Sequence, residues 1–354
     1  ALLSPGEREA YVAKLREDYA RIRERHAAKT GYTLLPLEAA RANAFRTDWT
    51  AYAPPRPRRL GVFAEEVPLA RLVPYIDWGP FFQTWDLAGS FPQILEDPVV
   101  GETARQVYGE AQAMLDVLVR EGWLKARAVW GLFPAASLGE DIEIYADESR
   151  HALAMVWNGL RQQHQRPPGQ PNLCLADFIA PKETGVLDWI GAFAVTAGHG
   201  IEEKLAEYEA AHDDYHAILL KALADRLAEA CAEWLHEKVR REDWGYAPEE
   251  RLSPEELVAE RYRGIRPAPG YPACPDHTVK GDLFALLDAP ARAGMTLTEH
   301  YAMRPAASVA GFYFSHPESR YFAIPKIGED QLADWARRRG LALEEARRWL
   351  APIL

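Results

Sequence analysis

The residues with the clearest chemical potential lie in a proline-rich segment, RPAPGYPACPDH, which runs from Arg266 to His277. Each of its four prolines fixes its own φ and restricts the preceding residue, so the segment predicts a stiff loop and not an interior helix or a central strand. Gly270 is free to adopt a positive φ within it. Arg266 offers a planar guanidinium that binds a carboxylate through two hydrogen bonds, and Tyr271 offers an aromatic face with a hydroxyl. The segment therefore predicts a rigid holder for a small ligand that carries a carboxylate and a ring.

A longer string around this loop, GIRPAPGYPACPDHT, resembles the signature of the C-terminal activation domain of cobalamin-dependent methionine synthase. The resemblance runs in order from Pro74 to the last residue, through YIDWGPFFQTW, GEDIEIY, CLADFIAP, ALADRLAEA, WGYAP and FYFSHP. It implies that the domain binds S-adenosylmethionine and supplies the methyl group that rescues oxidised cobalamin, which another domain holds.

The resemblance also implies which residues contact the ligand. They are Asp77, Glu229, Glu260, Arg266, Ala268, Tyr271, Tyr321 and Phe322. Arg266 would bind the methionyl carboxylate, and backbone groups of Ala268 and its neighbours would bind the same ligand. Asp77 would form a hydrogen bond with the ligand, although an acid at this position also fits a cap for the helical turn that follows.

An acidic row follows one face of a predicted long helix. Asp225 and Glu229 are spaced i, i+4, and Glu233 extends the row. Taken alone, the row fits a solvated helix face. The alternative is an acidic wall that faces a cation, and S-adenosylmethionine carries both a sulfonium and an ammonium. Glu260, just before the proline-rich loop, is a weaker candidate of the same kind.

Two positions depart from the pattern of the family. Tyr321 and Phe322 fall where the family has an aromatic pair that touches the ligand, and taken alone they also fit the core of a strand. Phe322 replaces a tyrosine of that pair, so a hydroxyl contact would be lost. Ser90 stands where relatives carry a lysine, so an ion pair between domains would be lost as well.

The sequence contains no persuasive catalytic or metal-binding motif. Cys274, Asp276 and His277 lie within four residues, but structural zinc requires spaced pairs of ligands. Gly198-His199-Gly200 lacks the third glycine of a dinucleotide loop, since Glu203 stands there, and it predicts a tight turn from a strand to a helix. Methyl transfer from a sulfonium to cobalt(I) requires positioning and electrostatics and no protein nucleophile or general base. We therefore predict no catalytic residue and no metal ligand.

Composition excludes several classes of partner. The chain has 354 residues, 48% of them hydrophobic, and a net charge of −11, which argues against binding to nucleic acid. It has no apolar run of about 20 residues and no start that resembles a signal peptide, so we expect neither a membrane span nor export. Three distant cysteines fit reduced thiols and a cytoplasmic location. The first residue is Ala1, which fits either a fragment of a longer chain or removal of an initiator Met.

Apolar periodicity predicts an α+β fold with a mostly antiparallel, twisted sheet and flanking helices. The predicted strands are 128–133, 141–145, 173–179, 189–195, 296–301, 309–314 and 321–324. The first predicted helix follows a capping box at 4–7, ends near Gly31 and carries an apolar stripe at Val12, Leu15, Tyr19 and Ile22. Further helices are predicted at 103–119 and 202–240, and one or two short helices are predicted within 329–350. The segment APPRPRR, 53–59, predicts a linker, so we expect an N-terminal helix and linker at 1–59 and the S-adenosylmethionine-binding activation domain at 60–354.

These observations converge on the reactivation module of a cobalamin-dependent methionine synthase, a methyltransferase of methionine biosynthesis. The implied cofactors are S-adenosylmethionine and a cobalamin (vitamin B12) held by a neighbouring domain. The implied partners are that cobalamin-binding domain and flavodoxin or a similar reductant. The alternative is a regulatory module that senses S-adenosylmethionine without transferring its methyl. A stand-alone Rossmann methyltransferase would require a strict alternation of strands and helices, which this sequence lacks.

Overall fold

The computed structural model describes residues 5–29 and 32–354. Within these ranges the chain forms twelve α-helices and eight β-strands. The strands are β1 (Gly61–Val67), β2 (Lys125–Leu138), β3 (Asp141–Tyr145), β4 (Leu153–Asn158), β5 (Asp188–His199), β6 (Thr296–Leu297), β7 (Met303–Arg304) and β8 (Ser308–Tyr313). The helices are α1 (Pro5–Lys29), α2 (Leu37–Ala42), α3 (Leu69–Leu72), α4 (Gly79–Thr84), α5 (Gly101–Glu121), α6 (Ile201–Ala210), α7 (Asp214–Lys238), α8 (Pro254–Val258), α9 (Val279–Leu287), α10 (Ala289–Ala293), α11 (Glu329–Arg339) and α12 (Leu343–Trp349).

Six of the strands form one antiparallel sheet around the long strand β2. β1 pairs with the first half of β2 and β3 with its second half, while β5 runs along the other side. β4 lies beside β3 at one edge, and β8 lies beside β5 at the other. β6 and β7 form a separate two-stranded ribbon. The predicted α+β class, with a mostly antiparallel sheet and flanking helices, is confirmed.

Helices cover both faces of the sheet, as strand β5 shows. Ile190, Ala192 and Ala194 pack with α9 and α10 on one face, whereas Phe193 and Val195 pack with α5 and α7 on the other. Successive side chains of a strand point to opposite faces, and these five are fully buried. Burial of apolar surface contributes roughly 25 cal/mol per Å², so this two-sided core is the main favourable term in folding.

Apolar runs locate four strands of the sheet correctly. The predicted strands 128–133, 141–145, 189–195 and 309–314 fall in β2, β3, β5 and β8. The prediction misses β1 and β4, which are partly exposed to solvent. Their polar and exposed positions interrupt the apolar pattern on which the prediction depends.

Three other predicted strands are wrong. Segment 173–179 contains a 3₁₀ turn at Leu175–Phe178, because the Cys174 N–H donates to Asp177 Oδ2 at 2.9 Å and draws the backbone into a local turn. Only the first two residues of 296–301 belong to a strand. Segment 321–324 forms no strand, since its backbone runs beside the proline-rich loop, where the Ile324 N–H donates to the Pro272 carbonyl at 2.8 Å.

The predicted helices are present, with one interruption. Segment 103–119 lies in α5, and 329–350 contains α11 and α12. The predicted helix 202–240 is two helices, because His212 adopts a φ of 55° and the Asp213 carboxylate accepts the His216 N–H at the start of α7. The predicted turn from a strand to a helix is present, since β5 ends at His199, Gly200 has a φ of 91° and α6 begins at Ile201. In the described ranges, no helix combines the length and apolar character that crossing a membrane requires.

The apolar stripe of α1 is only partly covered in this structure. Val12 and Leu15 are half-buried, whereas Tyr19 is exposed. The predicted capping box at Ser4, the side chain of Ile22 and the predicted helix end near Gly31 lie outside the described residues.

The predicted linker 53–59 contains no helix or strand, but it lies against the segment that follows α7. The Arg59 N–H donates to the Asp243 carbonyl at 3.0 Å, and Trp244 Nε1 donates to the Pro55 carbonyl at 2.7 Å. The division of the chain at residue 59 stays a prediction.

An aromatic cluster around His316 joins the segment before this linker to the rest of the fold. The rings of Phe45, Trp49 and Tyr52 surround the buried imidazole. His316 Nδ1 accepts the Glu318 N–H at 3.1 Å, so Nε2 carries the hydrogen that faces Thr47 Oγ1 at 3.0 Å. Burial, together with the charge of Arg263, lowers the pKa of His316 to about 4. The cluster therefore requires a neutral imidazole.

We predict that His316 makes the free energy of unfolding depend on pH. Its pKa is lower in the folded chain than the ordinary 6.5, so its stabilisation is fully present above pH 6.5 and is lost as the pH falls towards about 4. The loss by pH 4 should be about 3 kcal/mol. Urea unfolding at several pH values should show a flatter profile between pH 4 and 6.5 for His316→Gln. The exposed His300→Gln should follow the parent chain, and parallel profiles for all three proteins would refute the assignment.

Candidate functional site

The proline-rich segment forms a tight turn that begins two residues after Arg266. The Tyr271 N–H donates to the Ala268 carbonyl at 3.2 Å, which places Pro269 and Gly270 at the two central positions. Gly270 has a φ of 96°, as the third position of a type II turn requires. The Gly270 N–H in turn donates to the Cys274 carbonyl at 2.7 Å. The predicted loop and the predicted positive φ of Gly270 are both confirmed, and the stiffness of the loop stays a prediction.

The residues that lead into this turn are fixed to the open edge of the sheet beyond β8. Ile265 and Phe314 exchange two backbone hydrogen bonds of 3.1 and 3.0 Å, and the Phe312 N–H donates to the Pro267 carbonyl at 3.0 Å. Gly311 allows this close approach, since a Cβ there would lie 2.6 Å from the Pro267 carbonyl oxygen. The backbone of Arg266 is therefore held between two anchored residues.

A cleft lies between this loop and helix α7. It comprises two adjoining cavities of about 380 and 560 Å³, and both are lined by Glu229, Glu260, Arg266 and Tyr271. Asp77 lines only the smaller cavity. Ala268, Tyr321 and Phe322 line only the larger one. The structure thus brings all eight sequence-predicted contact residues to one cleft, and their roles in binding stay predictions.

Arg266 is the most constrained side chain of the cleft. Its Nη2 lies 2.7 Å from Glu233 Oε2, and its Nη1 donates to the Tyr262 hydroxyl at 2.7 Å. Nη1 also lies 3.3 Å from His236 Nδ1. Burial disfavours the charged guanidinium, but the attraction of Glu233 outweighs it and raises the pKa of Arg266 above its ordinary value. Arg266 therefore stays charged at every physiological pH.

The three acids of the row on α7 become more buried from Asp225 to Glu233. Asp225 is exposed and does not line the cleft, Glu229 is half-buried in its wall, and Glu233 is buried but still lines the smaller cavity. Only Glu229 of the three thus presents a carboxylate to the cleft without a strong partner in the described structure. Glu260, on the opposite side, has a φ of 53°. Partial burial raises the pKa of Glu260, against the attraction of Arg266.

The remaining predicted residues combine local structural roles with exposure to the cleft. One Asp77 oxygen accepts the Gly79 N–H at 2.9 Å, so Asp77 does cap the turn that begins α4. The Tyr321 hydroxyl accepts the Arg266 backbone N–H at 2.9 Å. Phe322 packs against the hydrophobic core with part of its ring at the cleft. Tyr271 is 60% exposed, which leaves its ring free to contact a ligand.

Sequence reasoning missed the residues beneath the cleft. His236 and Tyr262 contact the Arg266 guanidinium, and the fully buried Arg240 pairs with Glu250 at 2.7 Å directly behind them. The only available signal was helical spacing, which places Glu229, His236 and Arg240 on one face of the helix. Tyr262 lies in an irregular segment that carries no such pattern.

The residues once considered as metal ligands have structural roles. The Asp276 carboxylate accepts the Thr278 N–H at 2.7 Å at the start of α9, and Cys274 is buried. In residues 5–29 and 32–354, no group of three or more His, Cys, Asp or Glu side chains could hold a metal ion.

A fixed arginine, several carboxylates and an apolar floor, placed at the edge of an antiparallel sheet, define a small-molecule-binding α+β domain. Residues 68–340 match the family described as "Vitamin B12 dependent methionine synthase, activation domain". The chain also resembles a solved structure, "Crystal Structure of the MetH Reactivation Domain bound to AdoHcy", with 55% identity and a TM-score of 0.89. That match covers 91% of this chain and 98% of the other. The chain belongs to the family of vitamin B12 dependent methionine synthase activation domains, which confirms the resemblance noted above.

We predict that Gly270→Ala destabilises the chain by about 1–3 kcal/mol, because an L-residue is strained at positive φ. The added Cβ would also lie 2.2 Å from Cε1 of His277. Gly109→Ala, in the interior of α5 with open space around it, is the matched control and should stabilise the chain by about 0.5–1 kcal/mol. Urea unfolding of both variants shows whether each substitution lowers or raises the free energy of unfolding. Equal stability of Gly270→Ala and the parent chain would show that the turn is not constrained.

Proposed function

We propose that this chain is the reactivation module of a cobalamin-dependent methionine synthase and binds S-adenosylmethionine in the cleft between α7 and the proline-rich loop. The observation that supports this most directly is the convergence of Arg266 with Glu229, Glu260 and an apolar floor in one cleft. The solved relative described above, a MetH reactivation domain bound to AdoHcy, gives further support.

The residues of the cleft fit the chemical groups of this ligand. S-Adenosylmethionine carries a carboxylate, an ammonium, a sulfonium and an aromatic base. Arg266 would hold the carboxylate, and Glu229 and Glu260 offer negative charge to the two cationic groups. Phe193, Val309 and the other apolar residues of the larger cavity would accommodate the ring. Its volume of about 560 Å³ lies within the usual range for small-molecule sites.

The lining also fits a chemistry that requires no protein nucleophile. When bound, S-adenosylmethionine would supply a methyl group to cob(I)alamin held by the neighbouring domain. Among the described residues that line the two cavities there is no Ser, Thr, Cys, His or Lys. The chain would position the ligand and exclude water from it, and the chemistry would belong to the two cofactors.

This role places the chain in methionine biosynthesis in the cytoplasm, as a methyltransferase module that acts together with the cobalamin-binding domain of the synthase. Flavodoxin or a similar electron donor would reduce the oxidised cobalamin before each methylation. Nucleic acid and membranes are not expected partners.

We predict that Arg266→Ala weakens binding of S-adenosylmethionine by about 2–4 kcal/mol, because the ligand carboxylate loses a charge-assisted partner. Isothermal titration calorimetry measures this difference, and thermal unfolding checks that the variant is folded. Arg261→Ala removes an exposed arginine that does not line the cleft, so its affinity should match that of the parent chain. Unchanged affinity of a folded Arg266→Ala would refute the assignment of Arg266.

Methyl transfer itself tests the proposed function. The isolated chain should bind S-adenosylmethionine and turn nothing over. Addition of a cobalamin-loaded domain and a strong reductant should convert cob(II)alamin to methylcobalamin, followed by absorbance and by label from the S-methyl group. The rate should depend on how the two domains are linked, through their effective concentration.

Two outcomes would contradict this function. Binding without any labelled methylcobalamin would favour the regulatory sensor. Direct methylation of homocysteine by the isolated chain, without cobalamin, would indicate an ordinary methyltransferase.

A further inference from the structure

The guanidinium of Arg266 has three hydrogen-bond partners inside the protein. A guanidinium carries five N–H donors, two on Nη1, two on Nη2 and one on Nε. Nη1 faces the Tyr262 hydroxyl at 2.7 Å and His236 Nδ1 at 3.3 Å, and Nη2 pairs with Glu233 Oε2 at 2.7 Å. Three donors are therefore engaged. One on Nη2 and one on Nε are left, which is the number that the two oxygens of a carboxylate accept.

The contact with His236 defines the state of that imidazole. Arg266 can only donate, so Nδ1 must accept and the ring must be neutral, with its hydrogen on Nε2. Burial and the positive charges of Arg240 and Arg266 lower the pKa of His236 well below its ordinary value. The ring is also fixed in orientation, because it stacks on Tyr313 with centroids 5.0 Å apart and meets Tyr262 edge to face. The acceptor atom is thus held against Arg266.

A second ion pair holds these residues from behind. Arg240 is fully buried, pairs with Glu250 at 2.7 Å, and lies over the Tyr262 ring with Cζ 4.1 Å from the ring centroid. Its Nη1 lies 3.9 Å from Glu233 Oε1. Tyr262 therefore contacts two guanidinium groups, with Arg240 against its ring and Arg266 at its hydroxyl.

We infer that Glu233, His236 and Tyr262 form an acceptor clamp that orients Arg266 and thereby selects ligands that carry a carboxylate. His236 and Tyr262 line neither cavity, so they act on a ligand only through Arg266. Each hydrogen bond from Arg266 to one of these three residues restricts rotation of the guanidinium away from the cleft. The inference rests on the proposed function, because it takes the carboxylate of S-adenosylmethionine or its product as the group that Arg266 receives.

Removal of one acceptor tests the clamp. Tyr262→Phe deletes a single hydroxyl and keeps the ring that packs on Arg240. Its affinity for S-adenosylhomocysteine should fall about fivefold, the value of roughly one neutral hydrogen bond. Its affinity for decarboxylated S-adenosylhomocysteine, which keeps the amine and the adenosine, should stay within about twofold of the parent chain. Calorimetry with both ligands measures the two affinities, and their ratio gives the preference for the ligand that carries a carboxylate.

The matched control is Tyr246→Phe, which removes another buried hydroxyl that donates to the Arg263 carbonyl at 3.3 Å and does not contact Arg266. It should change neither affinity. If Tyr262→Phe does not fold, a second pair of variants applies the same test. His236→Phe keeps a ring on Tyr313 but has no acceptor, whereas His236→Asn places an amide oxygen near the position of Nδ1. The first should lose the preference for the carboxylate, and the second should recover it.

The outcomes separate the clamp from the proposed function. A selective loss for the ligand with a carboxylate in Tyr262→Phe, or in His236→Phe but not in His236→Asn, supports the clamp. Equal losses for both ligands, or no loss for either, overturn it and leave the proposed function standing. If the parent chain itself fails to bind S-adenosylhomocysteine, the proposed function falls, and the clamp falls with it.

Discussion

A guanidinium taken out of water requires a counter-charge and hydrogen-bond acceptors, and this requirement at Arg266 organises the cleft. Its counter-charge, Glu233, comes from α7, and its neutral acceptors come from α7 and from the segment before the loop. Because these partners must stay within hydrogen-bond distance, the loop and the helix are fixed to each other. Removal of one member of such a buried pair typically costs about 3–5 kcal/mol, so the geometry has little tolerance for change.

The sheet supplies the frame in which this requirement can be met. β8 is an edge strand, and the segment around Arg266 hydrogen-bonds to that edge as if it continued the sheet. Helix α7 packs on β5 and β8. Both sides of the cleft therefore rest on the same pair of strands, and the floor between them is formed by Phe193 of β5 and Val309 of β8. The cleft owes its rigidity to this shared support more than to the prolines alone.

Local chemistry explains what the sequence could predict. The turn around Gly270 follows from the backbone limits of its prolines, and the central strands follow from continuous apolar runs. Strands such as β1 were missed because exposed and half-buried positions interrupt their apolar pattern, and segment 173–179 was mistaken for a strand because a buried turn is as apolar as a buried strand.

The contact residues of the cleft were predicted by type and by resemblance, but the support beneath them was not. His236 and Arg266 are 30 positions apart, and only the folded chain shows that they touch. The sequence also presented Glu233 as part of a row that fits either a solvated helix face or an acidic wall that faces a cation. The structure shows its carboxylate committed to Arg266, a pairing that depends on how α7 and the loop pack. Residue types thus predicted the side chains at the surface of the cleft, but they did not predict the interactions that hold those side chains in place.

Under the proposed function, the charge of the cleft gives a physical reason for release of the product after methyl transfer. Four acids and two arginines line it, and the charge of Arg266 is already balanced by Glu233. The excess of carboxylate favours a ligand with net positive charge, as S-adenosylmethionine is, over its neutral thioether product. At an effective dielectric constant near 20, a unit charge about 6 Å from a carboxylate gains roughly 3 kcal/mol before its desolvation is subtracted. Loss of the methyl group removes that attraction at the sulfur, so under the proposed function the same acids would hold the product less strongly than the donor.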